Sequence, residues 1–407
     1  MKKLVAVAVV LAFVAGGAFA ISFSGDVMAG AVLMGGTTAD GEDDILGGGE
    51  VVRARLAMEA SNADNTFGFL TRFQAGGFDG MNAGVSTHTA LAWWQPIPMF
   101  WLGLGFDGNG LFAQQGDSRW GFYREHGDVG MVNAANAWGG GFSVAAAGWS
   151  FNHSFYGGFA EGGVAMTIRP IPELSINVGL PVMAGAVVYR QEWGFWDPTA
   201  NDGAGAWIGW QDAGWATPFN NVTSHELGDI FSALHIQGAF AQPWGSVALT
   251  YRGSAEEGDD GSMFVYVNLT SIDNLNLNFG LGFHLVGDDP LIGIGVMANY
   301  DISPEFGLRA RFQFGFDTAD YGEHNIMLDV LPFFALTSNV RVFCSVGISM
   351  DFADGESAFN FHLAPHIVVG GEWAPRFFAG FRLESDNDWE GDSVMNWSVP
   401  IGLVVNF

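Results

Sequence analysis

Apolar and polar residues alternate along most of this chain with the two-residue period of a β-strand. From Phe306 to Phe316 the apolar set is Phe306, Leu308, Ala310, Phe312, Phe314 and Phe316, against Gly307, Arg309, Arg311, Gln313 and Gly315. Leu275 to Val286 sets leucines and phenylalanines against Asn276, Asn278, Gly280, Gly282 and His284. Val52, Ala54, Leu56, Met58 and Ala60 oppose Arg53, Arg55 and Glu59, while Phe377, Ala379, Phe381 and Leu383 oppose Arg376, Arg382 and Glu384. Neighbouring side chains on a strand point to opposite faces, so each segment carries one apolar and one polar face. Two environments suit such a strand. A soluble sandwich turns the apolar face into its core; a transmembrane barrel turns it to lipid and keeps the polar face around a wet lumen.

The connectors help to choose, because they fall into two kinds that alternate in order. One kind is tight and often holds proline, as at Gln95-Pro96-Ile97-Pro98, Arg169-Pro170-Ile171-Pro172, Gln242-Pro243-Trp244, Ser303-Pro304 and Ala374-Pro375. The other is longer, glycine-rich and acidic, as in GTTADGEDDILGGG (36–49), SAEEGDDGS (254–262), DTADYGEH (317–324) and ESDNDWEGD (384–392), with two much longer members at about 107–158 and 184–227. Short periplasmic turns and long acidic extracellular loops define an up-and-down outer-membrane barrel. The expected fold is all-β, a transmembrane antiparallel barrel of about 18 strands; 16 is the alternative, because the segment Phe142–Phe151 is ambiguous.

The ends of the chain agree. Lys2 and Lys3 precede an apolar run from Leu4 to about Ala15 and a small-x-small site at Ala18-Phe19-Ala20, which predicts a signal peptide over 1–20 and a mature barrel over 21–407. The run is too short to span a bilayer comfortably. At the other end Trp397, Val399, Ile401, Leu403 and Val405 alternate up to Phe407. This resembles the C-terminal signal by which the barrel-assembly machinery recognises bacterial outer-membrane proteins, and marks Trp397, Val405 and Phe407.

Composition narrows the partners. Lys+Arg number 15 against 43 Asp+Glu, and since Lys2 and Lys3 are the chain's two lysines, arginines supply every cation of the mature chain. Nucleic acid and anionic membrane surfaces are therefore poor partners. The single Cys344 excludes an intramolecular disulfide. The polar faces also lack the lysines that usually coat a sheet facing water, which disfavours a sandwich.

The units PIPMFWLGLGF (96–106), RPIPELSINVGL (169–180) and DISPEFGLRARF (301–312), with Trp93-Trp94-Gln95-Pro96, resemble those of spirochaete, treponemal-type, porin-like outer-membrane proteins. The resemblance implies a porin-like barrel and offers no catalytic motif. Outer-membrane lipid, small hydrophilic solutes and the assembly machinery are the partners it implies, and a homotrimer is compatible with it.

The remaining motifs are weighed on their chemistry. Gly103-Leu104-Gly105-Phe106-Asp107-Gly108 matches GxGxxG by letter, but no helical pattern follows to receive a pyrophosphate. Acidic clusters at 40–44, 256–260 and 386–392 have no calcium-loop spacing, so neither metal nor cofactor is expected. Arg53, Arg55, Arg72, Arg309, Arg311, Arg341, Arg376 and Arg382 fall on inward positions, where they either line a channel or pair with acids for stability. Arg119, Arg124, Glu125 and Asp128 sit in the first long loop, which could fold into the lumen and narrow it. Trp193, Phe195, Trp196, Trp207, Trp210 and Trp215 in the second could stack on a flat solute or simply pack together. Asn152-His153-Ser154 is the one cluster that tempts an enzymatic reading, and adjacent residues on an extended segment point apart. The sequence is thus expected to encode a non-enzymatic channel for passive diffusion of small hydrophilic solutes, favouring cations. The alternatives are a closed surface or adhesive barrel and a channel specific for a sugar or other small solute.

Overall fold

The computed structural model describes residues 19–37, 48–77, 85–107, 143–146, 149–152, 163–181, 195–197, 206–208, 231–232, 234–253, 259–286, 290–318, 324–353, 356–370, 375–387 and 393–406. The strand segments are β1 (Phe19–Thr37), β2 (Gly48–Asn62), β3 (Phe67–Gly77), β4 (Val85–Ile97), β5 (Phe100–Asp107), β6 (Ser143–Ala146), β7 (Trp149–Asn152), β8 (Gly163–Ile171), β9 (Leu174–Pro181), β10 (Phe195–Asp197), β11 (Ala206–Ile208) and β12 (His235–Gln242). They continue as β13 (Gly245–Arg252), β14 (Asp259–Ile272), β15 (Leu275–Val286), β16 (Leu291–Asp301), β17 (Phe306–Asp317), β18 (His324–Thr337), β19 (Val340–Ala353), β20 (Glu356–Val369), β21 (Arg376–Gly380), β22 (Arg382–Asn387) and β23 (Ser393–Asn406).

Nineteen segments form one antiparallel sheet in which each pairs with the next in chain order, β5 passing to β8 and β9 to β12. β21 and β22 share one strand position. Both lie between β20 and β23 in a continuous register, interrupted at Phe381. β23 pairs back onto β1 from Asp26↔Asn406 to Thr37↔Asn396. The sheet is therefore a closed barrel of eighteen strands with no free edge, as any sheet crossing lipid must be. The ambiguous segment near 142–151 is the hairpin β6–β7, outside the barrel sheet. Its strands of four residues are too short for a span, which takes about 9–11. The long connections run over 108–162 and 182–234, slightly beyond the limits read from sequence. β1 begins at Phe19, so Phe19 pairs with Asn62 and Ala20 with Ser61 although the sequence assigns them to the leader.

Burial reverses the order of a soluble protein. The apolar positions face out and are exposed, as at Leu249 (54%) and Phe312 (44%), while the polar positions between them are buried, as at Asp329 (1%) and Gln313 (2%). At the rim of short turns the outward residues are largely aromatic: Phe67, Trp94, Phe240, Trp244, Tyr300, Phe306, Phe334 and Phe377 follow one another around the barrel, all exposed. The turns are held by their own polar groups. Asn62 Oδ1 accepts from the Thr66 and Phe67 amides at 2.8 and 3.0 Å, and Asn65 and Asn274 take the left-handed φ of 50° and 62° that asparagine tolerates.

The seam between the first and last strands has a fitted contact. β1 shifts register between Val32 and Gly35, and the outward Trp397 indole then covers Gly36 and stacks on Phe381 with ring centroids 6.4 Å apart. A Cβ at Gly36 would stand 2.8 Å from Trp397 Nε1. Gly36→Val should therefore weaken closure, so that the folded band on an unboiled SDS gel is lost at a lower temperature than for the wild type; an unchanged transition would remove the seam role of this pair.

Candidate functional site: the inner wall of the barrel

Directly opposed residues on antiparallel strands share a face, so the register assigns the inner wall strand by strand. The register puts the positions of all eight arginines predicted to point inward on this wall. Arg55 faces Asp26 and Gln74; Arg53 faces Met28 and Gly76; Arg72 faces Ala57 and Thr89; Arg309 faces Asn299 and Leu331; Arg311 faces Met297 and Asp329. Arg341 faces Ala335 and Val368, Arg376 faces Val404, and Arg382 faces Ser398. They are not equal as pore-lining groups. Arg55 and Arg311 are only 5% exposed, so they belong to a covered wall and not to an open water surface. Arg309 bonds to Asp301 Oδ1 at 2.8 Å and lies 4.9 Å above the Phe333 ring, whereas Arg341 is exposed beside its turn.

Around Arg311 the wall gathers a cluster that no local sequence pattern announces. Arg311 donates to Gln313 Oε1 and faces Asp329 on β18. Gly347 of β19 faces both Asp329 and, on its other side, His362 of β20. A Cβ there would lie 2.1 Å from His362 Cε1 and 2.2 Å from Asp329 Oδ1, so the glycine leaves the gap across which the two side chains approach. Asp329 Oδ1 is 3.9 Å from His362 Nε2, and Ser345 Oγ is 3.0 Å from the same nitrogen. Serine and aspartate thus compete for one ring nitrogen, whereas a hydrolytic triad uses both. One level nearer the turns, Phe333 lies tilted beside Phe343 with centroids 5.7 Å apart, and Phe343 stacks on His366 at 5.0 Å.

The wall opposite this charged region carries an uncharged ladder. Thr167 Oγ1 donates to Asn177 Oδ1 at 2.8 Å, Asn177 Nδ2 to Gln237 Oε1 at 2.9 Å, and Gln237 Nε2 to Thr250 Oγ1 at 2.9 Å, one ladder across β8, β9, β12 and β13. Farther along, Tyr266 donates to Asn278 Oδ1 at 2.6 Å. These amides and hydroxyls satisfy one another in the covered wall.

The β6–β7 hairpin leaves the barrel between β5 and β8 but packs against β14, β15, β16 and β17. The outward residues of those strands, among them Met263, Phe279, Ile294 and Phe312, are exposed, so the hairpin lies on their inner side. In the second long connection Trp196 and Trp207 are opposed register positions of the β10–β11 hairpin. Arg119, Arg124, Glu125 and Asp128 lie outside the described residues, as do Trp193, Trp210, Trp215, His153, Ser154 and Phe407. Trp397 and Val405 take outward positions on β23. Gly103 and Gly105 sit within β5. Among the described residues no group of three His, Cys, Asp or Glu is placed to hold a metal.

No family model and no curated protein matches the sequence. Solved structures do. The OmpT of Vibrio cholerae is similar over 96% of this chain and 99% of its own, with 9% identity and a TM-score of 0.46. An anion-selective porin from Comamonas acidovorans is similar over 96% and 100%, with 11% identity and a TM-score of 0.49. The outer-membrane channel DcaP of Acinetobacter baumannii is similar over 96% and 98%, with 10% identity and a TM-score of 0.42. The fold assignment rests on the strand pairing of this chain itself.

Proposed function

We propose that this protein is a bacterial outer-membrane channel through which small hydrophilic solutes diffuse passively. One observation carries the reading: a closed barrel exposes its apolar side chains, rims them with aromatics and keeps charge, amide and hydroxyl groups inside. Such a surface is stable in lipid and would aggregate in water. Eighteen strands enclose room for an aqueous passage, and the hairpin on the inner side supplies a means of narrowing it. The excess of acids in the outer connections should draw cations to the mouth, and three barrels could associate through their apolar exteriors.

Refolded protein in a planar bilayer should give stable ohmic openings, with a reversal potential favouring cations across a salt gradient. Anion preference would overturn the charge argument alone. Silence from protein shown to be folded and inserted would overturn the channel and favour a closed barrel acting through its loops.

A further inference from the structure

Five inward positions of β15, β16 and β17, three of the strands against which the hairpin packs, are glycine. Gly280 faces Gly295 and Gly282 faces Gly293 across β15 and β16, and Gly293 faces Gly315 on β17. All five are buried. Phe264 and Tyr266 of β14 border this patch on one side, facing Gly282 and Gly280, and Gln313 borders it on the other, facing Gly295. The outward positions of the same strands, by contrast, are Leu281, Phe283, Ile292 and Ile294. Glycine inside a strand weakens it relative to alanine and commonly marks the close approach of another backbone. A cluster on one face of adjacent strands is a recess. The first strand of the hairpin that packs on these strands, SVAA (143–146), is made of small residues suited to such an approach.

We propose that the glycine recess of β15–β17 is the seat that fixes the hairpin, and that it thereby selects which wall the solute meets. With the hairpin held on that side, the free part of the lumen is bounded by the arc from β18 through β23 to β3. Its inward positions that are not covered include Glu59, Arg72, Arg341 and Arg376. The permeating solute then passes a wall bearing both signs of charge, and the amide ladder of β8–β13 stays aside. The consequence for permeation rests on the channel reading; the seat itself does not.

Filling the recess separates this arrangement from its rivals, because the two alternatives move conductance in opposite directions. In Gly282→Val/Gly293→Val, with β-branched residues that favour strands, a seated hairpin is displaced and single-channel conductance should rise towards that of a variant lacking 143–152. Equal or lower conductance would mean that the valines merely occupy lumen, and would overturn the seat. A second readout needs no conduction. With Cys344→Ser and Ala145→Cys as background, a hydrophilic maleimide should label position 145 faster once the recess is filled, and an unchanged rate would overturn the proposal. If the wild type is silent in bilayers, the channel reading fails and the labelling still judges the seat.

Discussion

Arginine in place of Val346 should destabilise the barrel by about 2–4 kcal/mol, the cost of a cation near the middle of a lipid-facing strand. Val346 is central in β19, is 44% exposed, and faces Val330 and Leu363 on the outer surface. If that surface met water, the same change would fall within about 0.5 kcal/mol of neutral, because isolated surface substitutions rarely matter more. The two environments therefore predict different magnitudes for one substitution. Ser349→Arg is the internal control: Ser349 faces Met327 and Asn360 on the inner wall and is only half-buried, so its arginine can remain hydrated. Urea unfolding of protein refolded into phospholipid vesicles should show a large loss for Val346→Arg and a small one for Ser349→Arg. Equal small losses would remove lipid from the outer surface and with it the membrane reading.

That contrast works because alternation is a local property, and local properties are what the sequence displays well. The strand 306–316 shows its two faces to any reader of period two, and the alternation of tight and long connectors yields the eighteen strands that the pairing closes. What requires three strands at once is hidden. Asp329 and His362 approach only because Gly347, on the strand between them, has no side chain. Neither spacing nor residue type flags that glycine among 59. The arginines show the same limit. Parity places Arg311 and Arg341 alike on the inner wall, but only the folded barrel covers the first and leaves the second exposed beside a turn. The hairpin's destination is likewise non-local, since it leaves after β5 and packs on strands more than a hundred residues later. Gly280, Gly282, Gly293 and Gly295 are visible as alternating glycines, yet only the register makes them one patch.

The covered charges give the other large effect. Asp329→Leu should cost about 3–5 kcal/mol, because removing one member of a buried pair leaves the opposite charge without compensation in a poorly solvated wall. Arg311 is that charge; it is 5% exposed and faces Asp329 directly across β17 and β18. Arg309 bonds Asp301 at 2.8 Å, but the Asp301 side chain is 56% exposed, so its loss should cost only about 0.2–1 kcal/mol. Burial sets the ranking. The double variant Arg311→Met/Asp329→Leu tests the cause, since replacing both charges by apolar groups removes the stranded cation and is often close to neutral. Unfolding in urea should then show most of the single-variant loss recovered. If the double variant is as unstable as Asp329→Leu alone, the loss does not come from Arg311, and the remaining neighbour that Asp329 serves is His362, which Ser345 already contacts at 3.0 Å.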